Sequence, residues 1–318
     1  MLQSALYNKI DVHAHYLSPG YKKFLKDQFN DMGDGVKTPD YSIDTTLSIM
    51  DKTKIDYSII SISSPHINTG EASGTLELAN EVNDYALTQH SKYAKKIGFF
   101  ASVPMPYVDE SVQVINQVAK TGQAAGFTLP TNSRGTYLGD PKLDPMMQAL
   151  DDAHAIVALH PNAPGIVDSN VNPTVPQPIL EFFFDTTRTV VNMLVNGIFT
   201  RYPNIQFIIP HTGAVLPLVA NRIPLARSLN PDLRPEQLDI QSVMGQQYFD
   251  VAGMVLSQQL PALLELIDPD KLLYASDTPY TPTPVVLDLA NRLETTDLLS
   301  QPMKQKMFNQ NARKLFSL

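Results

Sequence analysis

Eight short apolar runs, rich in β-branched and aromatic residues, recur along the chain with helix-period sequence between them. The runs are Lys9–His13, Tyr57–Ser61, Lys96–Val103, Gly126–Leu129, Ile156–Leu159, Gln206–Ile209, Tyr248–Val251 and Leu272–Ala275. Each is nearly continuous in hydrophobicity, the pattern of a parallel strand buried on both faces. Between them, Gly74–Gln89 carries Leu76, Ala79, Val82, Ala86 and Leu87 along one helical face. Val108–Lys120, Leu143–Ala153, Pro178–Thr200, Leu216–Arg227 and Gln258–Ile267 read the same way. Strand–helix alternation implies an α/β fold with a parallel sheet, and eight units imply a closed (β/α)8 TIM barrel. A doubly wound sheet would want a glycine-rich turn after the first strand, where this chain has Asp11-Val12-His13-Ala14-His15.

With 318 residues the chain is long enough for one such barrel, and residues 1–318 are expected to form a single domain. No interdomain linker, internal repeat or low-complexity tract interrupts it. Long connections are expected at about 16–40, 161–177 and 228–246, the second rich in proline (Pro161, Pro164, Pro173, Pro176). On a barrel, long βα connections shape the substrate pocket.

Composition excludes several function classes. There are no cysteines, so no disulfide framework, cysteine-based metal cluster or cysteine nucleophile can form. The net charge of −8 argues against nucleic acid or an anionic membrane as partner. An anionic substrate therefore needs a local positive centre. The N-terminal residues lack the basic start and apolar core of a signal peptide, and no apolar run approaches the ~20 residues that span a bilayer. A cytoplasmic location is the resulting expectation.

The chemistry-bearing residues sit at strand ends. His13 and His15 close the first run, and period-two alternation puts both on one side of the strand. Two neutral imidazoles so spaced can share a metal ion. His160 follows the fifth run, His211 the sixth and Asp277 the eighth. All five therefore belong to the C-terminal rim, where barrel enzymes place catalysis. Taken singly, each has a plain reading: a strand-end histidine can be a hydrogen-bonded rim residue, and Asp277 could cap the helix that follows. Taken together in this order, they point to a metal-assisted site. His66, after the second strand, is a candidate pocket-lining residue, whereas His154 reads as a surface residue and His90 as a partner of helix-terminal carbonyls.

These residues carry a resemblance. The stretches Ile10-Asp11-Val12-His13-Ala14-His15, Val157-Ala158-Leu159-His160-Pro161, Pro210-His211-Thr212-Gly213-Ala214-Val215-Leu216-Pro217 and Leu273-Tyr274-Ala275-Ser276-Asp277-Thr278-Pro279 resemble the amidohydrolase superfamily. They resemble in particular the amidohydrolase-2 branch, which contains the metal-dependent decarboxylases. Tyr137-Leu138-Gly139-Asp140 and Phe184-Asp185-Thr186-Thr187-Arg188 add similarity to 6-methylsalicylate-decarboxylase-like proteins, beside the γ-resorcylate and aminocarboxymuconate-semialdehyde decarboxylases.

The resemblance implies that His13, His15, His160 and Asp277 bind one divalent metal, zinc first and manganese as the alternative, with His211 beside substrate. Two-metal members of the superfamily use a carboxylated lysine after the fourth strand; Gly126-Phe127-Thr128-Leu129-Pro130 has none. It also implies a homodimer, because Arg222 stands at the spacing from His211 of an arginine that reaches a neighbouring subunit's substrate. Arg188 is a second candidate for a substrate carboxylate, although Glu181 and Asp185 are in helical phase with it and could pair with it. The region 16–40 has no arginine, unlike the semialdehyde decarboxylases, which favours a smaller monoacid. The implied activity is non-oxidative decarboxylation of a small aromatic or conjugated, hydroxybenzoate-like acid, with Asp277 as proton carrier. The same residues could instead activate water against a lactone, ester or amide. A non-enzymatic metal-binding role on a retired barrel would have predicted a lost ligand, and none is lost.

Overall fold

A computed structural model describes residues 6–166, 170–171 and 174–318. Eight parallel strands pair in chain order: β1 (Lys9–His15), β2 (Ile55–Ser61), β3 (Ile97–Ser102), β4 (Gly126–Pro130), β5 (Ile156–His160), β6 (Gln206–Ile209), β7 (Tyr248–Asp250) and β8 (Leu272–Leu273). The ring closes where β1 meets the chain after β8: Val12 N–H donates to Tyr274 O (3.1 Å), Asp277 N–H to His13 O (2.7 Å) and His15 N–H to Thr278 O (2.6 Å). This is the expected (β/α)8 barrel. The last two strands are shorter than their apolar runs, because beyond Asp250 and Leu273 the backbone turns into the rim.

Alternate residues split between two cores. Phe99, Ala101, Phe127, Leu129, Val157, Leu159, Phe207 and Ile209 belong to the large cluster shared with the surrounding helices. Ile10, Val12, Ile59, Phe100, Ile208, Tyr248 and Leu273 form a second cluster inside the barrel. The C-terminal helix Asn311–Phe316 plugs this interior with Ala312 and Phe316, whose ring lies 5.9 Å from that of Phe100. The interior is thus filled at the end where the strands start, which leaves the opposite end for chemistry.

β1 breaks the alternation. Asp11 pairs with Ser58 and Ala14 with Ile60, so Val12 and His13 together oppose the single residue Ile59. This extra residue is a bulge, and it resets the pleat. Ile10 and Val12 face inward below it, and His13 and His15 face inward above it.

The principal helices are α1 (Pro19–Phe29), α2 (Ile43–Thr53), α3 (Ala72–Lys92), α4 (Val108–Thr121), α5 (Asp144–Asp152), α6 (Glu181–Val195) and α7 (Thr283–Thr295). Several correct the sequence reading. The expected long connection 16–40 contains α1, because Ser18 caps it by accepting from Tyr21 N–H and Pro19 occupies its first turn. A two-stranded hairpin, Met32–Gly33 with Val36–Lys37, follows it. Connection 228–246 contains a helix, Ile240–Gln246, capped by Asp239. Connection 161–177 lies partly outside the described residues, Pro173 included. The expected helix Pro178–Thr200 is interrupted at Gly197, which takes a left-handed φ of 69°. Leu216–Arg227 is broken into short α and 3-10 turns, with Pro224 unable to donate a helical hydrogen bond.

One charged pair lies beneath the barrel. Lys9 at the start of β1 is fully buried, bonds Glu294 of α7 at 2.6 Å and sits 5.1 Å from the Phe308 ring. Burial lowers the Lys9 pKa despite this partner.

Candidate metal centre

His13 and His15 enter the site from β1, His160 from the end of β5, His211 from the turn after β6 and Asp277 from the segment after β8. His13, His15 and His160 are buried and offer ring nitrogens all within 4.8 Å of one another. His13 Nε2 and His15 Nε2 are 3.1 Å apart, and Asp277 Oδ1 lies 3.1 Å from His15 Nε2 and 3.7 Å from His13 Nε2. His211 stands one step further out, its Nε2 at 4.0 Å from Asp277 Oδ2. Four sequence-separated segments thus meet at one point on the rim.

The other nitrogen of each clustered ring is already engaged. His13 Nδ1 bonds Asp250 Oδ2 at 2.8 Å, His15 Nδ1 faces Ser61 Oγ at 3.3 Å, and His160 Nδ1 bonds Pro161 O at 2.8 Å. An imidazole that donates from Nδ1 presents the Nε2 lone pair. The cluster is therefore a set of aligned donors beside a carboxylate, which is the donor chemistry of a three-histidine, one-carboxylate metal site.

Asp250 went unnoticed in the sequence. It lies inside the apolar run Tyr248–Val251, and its position at the end of β7 was the available signal. Besides His13, it accepts the backbone N–H groups of His211 (2.9 Å) and Ala252 (3.1 Å). One carboxylate thereby orients two of the site's histidines. Ser63, Tyr280 and Phe183 were missed as well. Ser63 Oγ is 3.5 Å from His160 Nε2, the Tyr280 ring is 5.7 Å from that of His15, and the Phe183 ring is 5.7 Å from that of His211. Ser63 and Tyr280 lie on loops and Phe183 on α6, and no short pattern encodes their approach to the cluster.

The electrostatics follow from burial against pairing. Burial alone would lower the His13 pKa, but the Asp250 carboxylate prevails and raises it to about 9. Burial lowers His15 and takes His160 well below its ordinary value. For Asp277, burial favours the neutral acid, yet hydrogen bonds from His15 and His211 hold it well below the usual carboxylate range. Two members, His211 and Asp277, take left-handed φ values of 54° and 57°. Backbone held in that region by non-glycine residues concentrates at functional sites.

The remaining expected residues lie apart from this cluster or beside it. Arg188 pairs with Asp185 Oδ1 at 3.3 Å along α6 and reaches the Tyr137 hydroxyl at 3.4 Å. Asp185 is fully buried and also accepts from Thr131 (2.5 Å), Asn132 (3.0 Å) and Tyr137 (2.5 Å), so it joins the two stretches that suggested the 6-methylsalicylate-type resemblance. Arg222 is exposed in the turn Ala220–Leu225. His66 is buried beside the site's rim. His154 is exposed, and His90 Nδ1 bonds Ile97 O at 2.7 Å.

Known proteins resemble the chain over nearly its whole length. The 6-methylsalicylic acid decarboxylase of Penicillium expansum is 29% identical, with 93% of this chain and 93% of that protein aligned. A solved amidohydrolase II structure is 44% identical, covers 98% of this chain and 100% of its own, and superposes with a TM-score of 0.93. The manganese-bound 5-carboxyvanillate decarboxylase of Novosphingobium aromaticivorans, at 20% identity, shares the fold with a TM-score of 0.87, over 100% of this chain and 99% of its own. The amidohydrolase family model matches residues 10–318, from β1 through every strand end described above, and the chain belongs to that enzyme family.

Proposed function

We propose that this chain is a metal-dependent, non-oxidative decarboxylase of a small hydroxybenzoate-like acid. The metal centre rests on the three clustered histidines, with His13 and His15 Nε2 3.7 and 3.1 Å from Asp277 Oδ1, and similarity to the 6-methylsalicylic acid decarboxylase supports decarboxylation over hydrolysis on it. In this proposal His13, His15, His160 and Asp277 hold one divalent ion, zinc first and manganese second. The substrate class is that of the 6-methylsalicylic acid decarboxylase relative.

An ion bound there would supply Lewis acidity toward the substrate's oxygens. Asp277 carries a proton to the ring carbon that bears the carboxylate. The carbon–carboxylate bond then breaks, a carbon–hydrogen bond replaces it, carbon dioxide leaves and one proton is consumed. His211, 4.0 Å from Asp277 Oδ2, stabilises charge or relays the proton.

We also infer a homodimer in which Arg222 contacts the substrate bound by the neighbouring copy, with Arg188 as a second carboxylate contact. Leu218, Leu225 and Leu229 are 63%, 62% and 90% exposed on the same segment as Arg222, which supports a covered interface there. A cytoplasmic location belongs to the same proposal; no described helix is long and apolar enough to cross a membrane.

The test is carbon dioxide release from a hydroxybenzoate panel, 6-methylsalicylate and γ-resorcylate included, by zinc- or manganese-loaded protein. Metal-dependent release supports the reading. Silence across the panel with turnover of a lactone or ester would replace it with the hydrolytic one. Light scattering that finds a strict monomer would remove the cross-subunit role of Arg222.

A further inference from the structure

The barrel closes at a seam between β1 and the segment after β8, and each side carries part of the metal centre. His13 and His15 stand on one side and Asp277 on the other. Backbone bonds cross the seam: Asp277 N–H donates to His13 O at 2.7 Å, and His15 N–H donates to Thr278 O at 2.6 Å. Between these two bonds Asp277 takes its left-handed φ of 57°. A non-glycine residue stays in that region only where its surroundings over-determine it.

Two buried side chains supply that constraint. Asp11 is 1% exposed and Ser276 4%. Asp11 Oδ1 accepts His13 N–H and Ser276 N–H, both at 3.1 Å. Asp11 Oδ2 accepts Ser276 Oγ–H at 2.5 Å. Ser276 Oγ in turn accepts Thr278 N–H at 3.3 Å and lies 3.0 Å from Thr278 Oγ1. The Asp11 carboxylate thus ties the backbone of His13 to the residue before Asp277. The Ser276 hydroxyl ties that residue to the one after it. Asp277 is held through both neighbours, and none of these bonds uses its own carboxylate, which stays available to the histidines.

Closing the barrel does not need this frame, because the backbone bonds already span the seam. What the frame adds is a fixed placement of Asp277 opposite the two rings. We propose that Asp11 and Ser276 are positioning residues that hold the Asp277 carboxylate at its distance from His13 and His15, ready to share one ion with them. The proposal rests on the metal-site reading above. It requires hydrogen bonding at position 11 rather than charge. An amide there keeps the frame: its oxygen accepts the two N–H groups, and its NH2 donates to Ser276 Oγ, whose own proton turns to Thr278 Oγ1.

The test uses cobalt(II), whose visible absorption reports binding and the ligand set together. Chelator-treated wild type, Asp11→Ala, Asp11→Asn, Ser276→Ala and Asp277→Asn are titrated with it, Asp277→Asn giving the spectrum of a site without the carboxylate. Asp11→Ala and Ser276→Ala are expected to bind cobalt about tenfold more weakly, with absorption moved toward that of Asp277→Asn, whereas Asp11→Asn stays within about twofold of wild type and keeps its spectrum. Ser276→Ala deletes a single hydroxyl and decides the matter if Asp11→Ala does not fold. Wild-type affinity in both alanine variants overturns the proposal. So does weaker binding with an unchanged spectrum, which would mean a looser fold and not a displaced ligand. A loss in Asp11→Asn equal to that in Asp11→Ala overturns it too, since charge would then be what matters. A wild-type chain that takes up no cobalt overturns the metal-site reading and the positioning role with it, whereas bound cobalt with insensitive variants overturns the positioning role alone.

Discussion

Asp250 Oδ2 lies 2.8 Å from His13 Nδ1, and its other oxygen accepts the His211 backbone N–H at 2.9 Å. A carboxylate behind a metal-binding imidazole fixes its tautomer and raises its basicity. Asp250→Asn keeps the shape but removes the charge. Metal affinity is expected to fall about 10–100-fold, with the fold retained. Competition against a chelator of known affinity measures it; a wild-type constant would remove Asp250 from the proposed site.

The same pair predicts a pH dependence for the metal-free protein. The His13 pKa is raised from 6.5 to about 9, so its pairing stabilises the fold fully below about pH 6.5 and the contribution fades as pH rises through 9. Denaturant unfolding of chelator-treated wild type and Asp250→Asn is expected to show its largest gap near pH 6.5 and a small one near pH 10. Because a ligand imidazole must be neutral, metal affinity should rise over the same interval. A gap that widens with pH would contradict the assignment.

Asp277→Asn is expected to lower decarboxylation by about 10²–10⁴-fold, since an amide cannot carry the proton. Circular dichroism should match wild type. Near-normal turnover would assign the proton to another group.

His160→Ala deletes one of three converging nitrogens, and stoichiometric metal should be lost on dialysis. Activity of wild type should vanish with chelator and return with zinc or manganese. Elemental analysis and turnover of the same samples check both halves; full activity in metal-free protein would end the metal-dependent mechanism.

Lys9→Met leaves Glu294 charged and buried, with Leu6 N–H at 3.4 Å as one remaining partner. Breaking one half of such a pair costs about 3–5 kcal/mol. Lys9→Met with Glu294→Gln should recover much of that loss. Urea unfolding of the single and double variants measures it, and equal stability of the two would show that the pair contributes little.

Much of the barrel was legible because its strands are buried on both faces and read as continuous apolar runs. Helix breaks were less legible. Gly197 and Pro224 carried the signal, but the surrounding apolar periodicity ran through both. In the site, His160, His211 and Asp277 stood out because each follows an apolar run. Asp250 did the same and was hidden only because Val251 continued the pattern after it. The approach of Gln177 N–H to Asp34 O gave no signal, since the two residues are more than a hundred positions apart.

The sequence by itself determined the strand count, the order of the strand-end side chains and the absence of a lysine after β4, which are local patterns of burial and residue type. Only the tertiary structure decided which way His13 and His15 point. With Ile10 and Val12 inside the barrel, strict alternation would turn both histidines outward. The register shift that sets Val12 and His13 against Ile59 brings them in. That shift depends on how β1 pairs with β2, a relation between distant segments that the sequence of β1 does not contain.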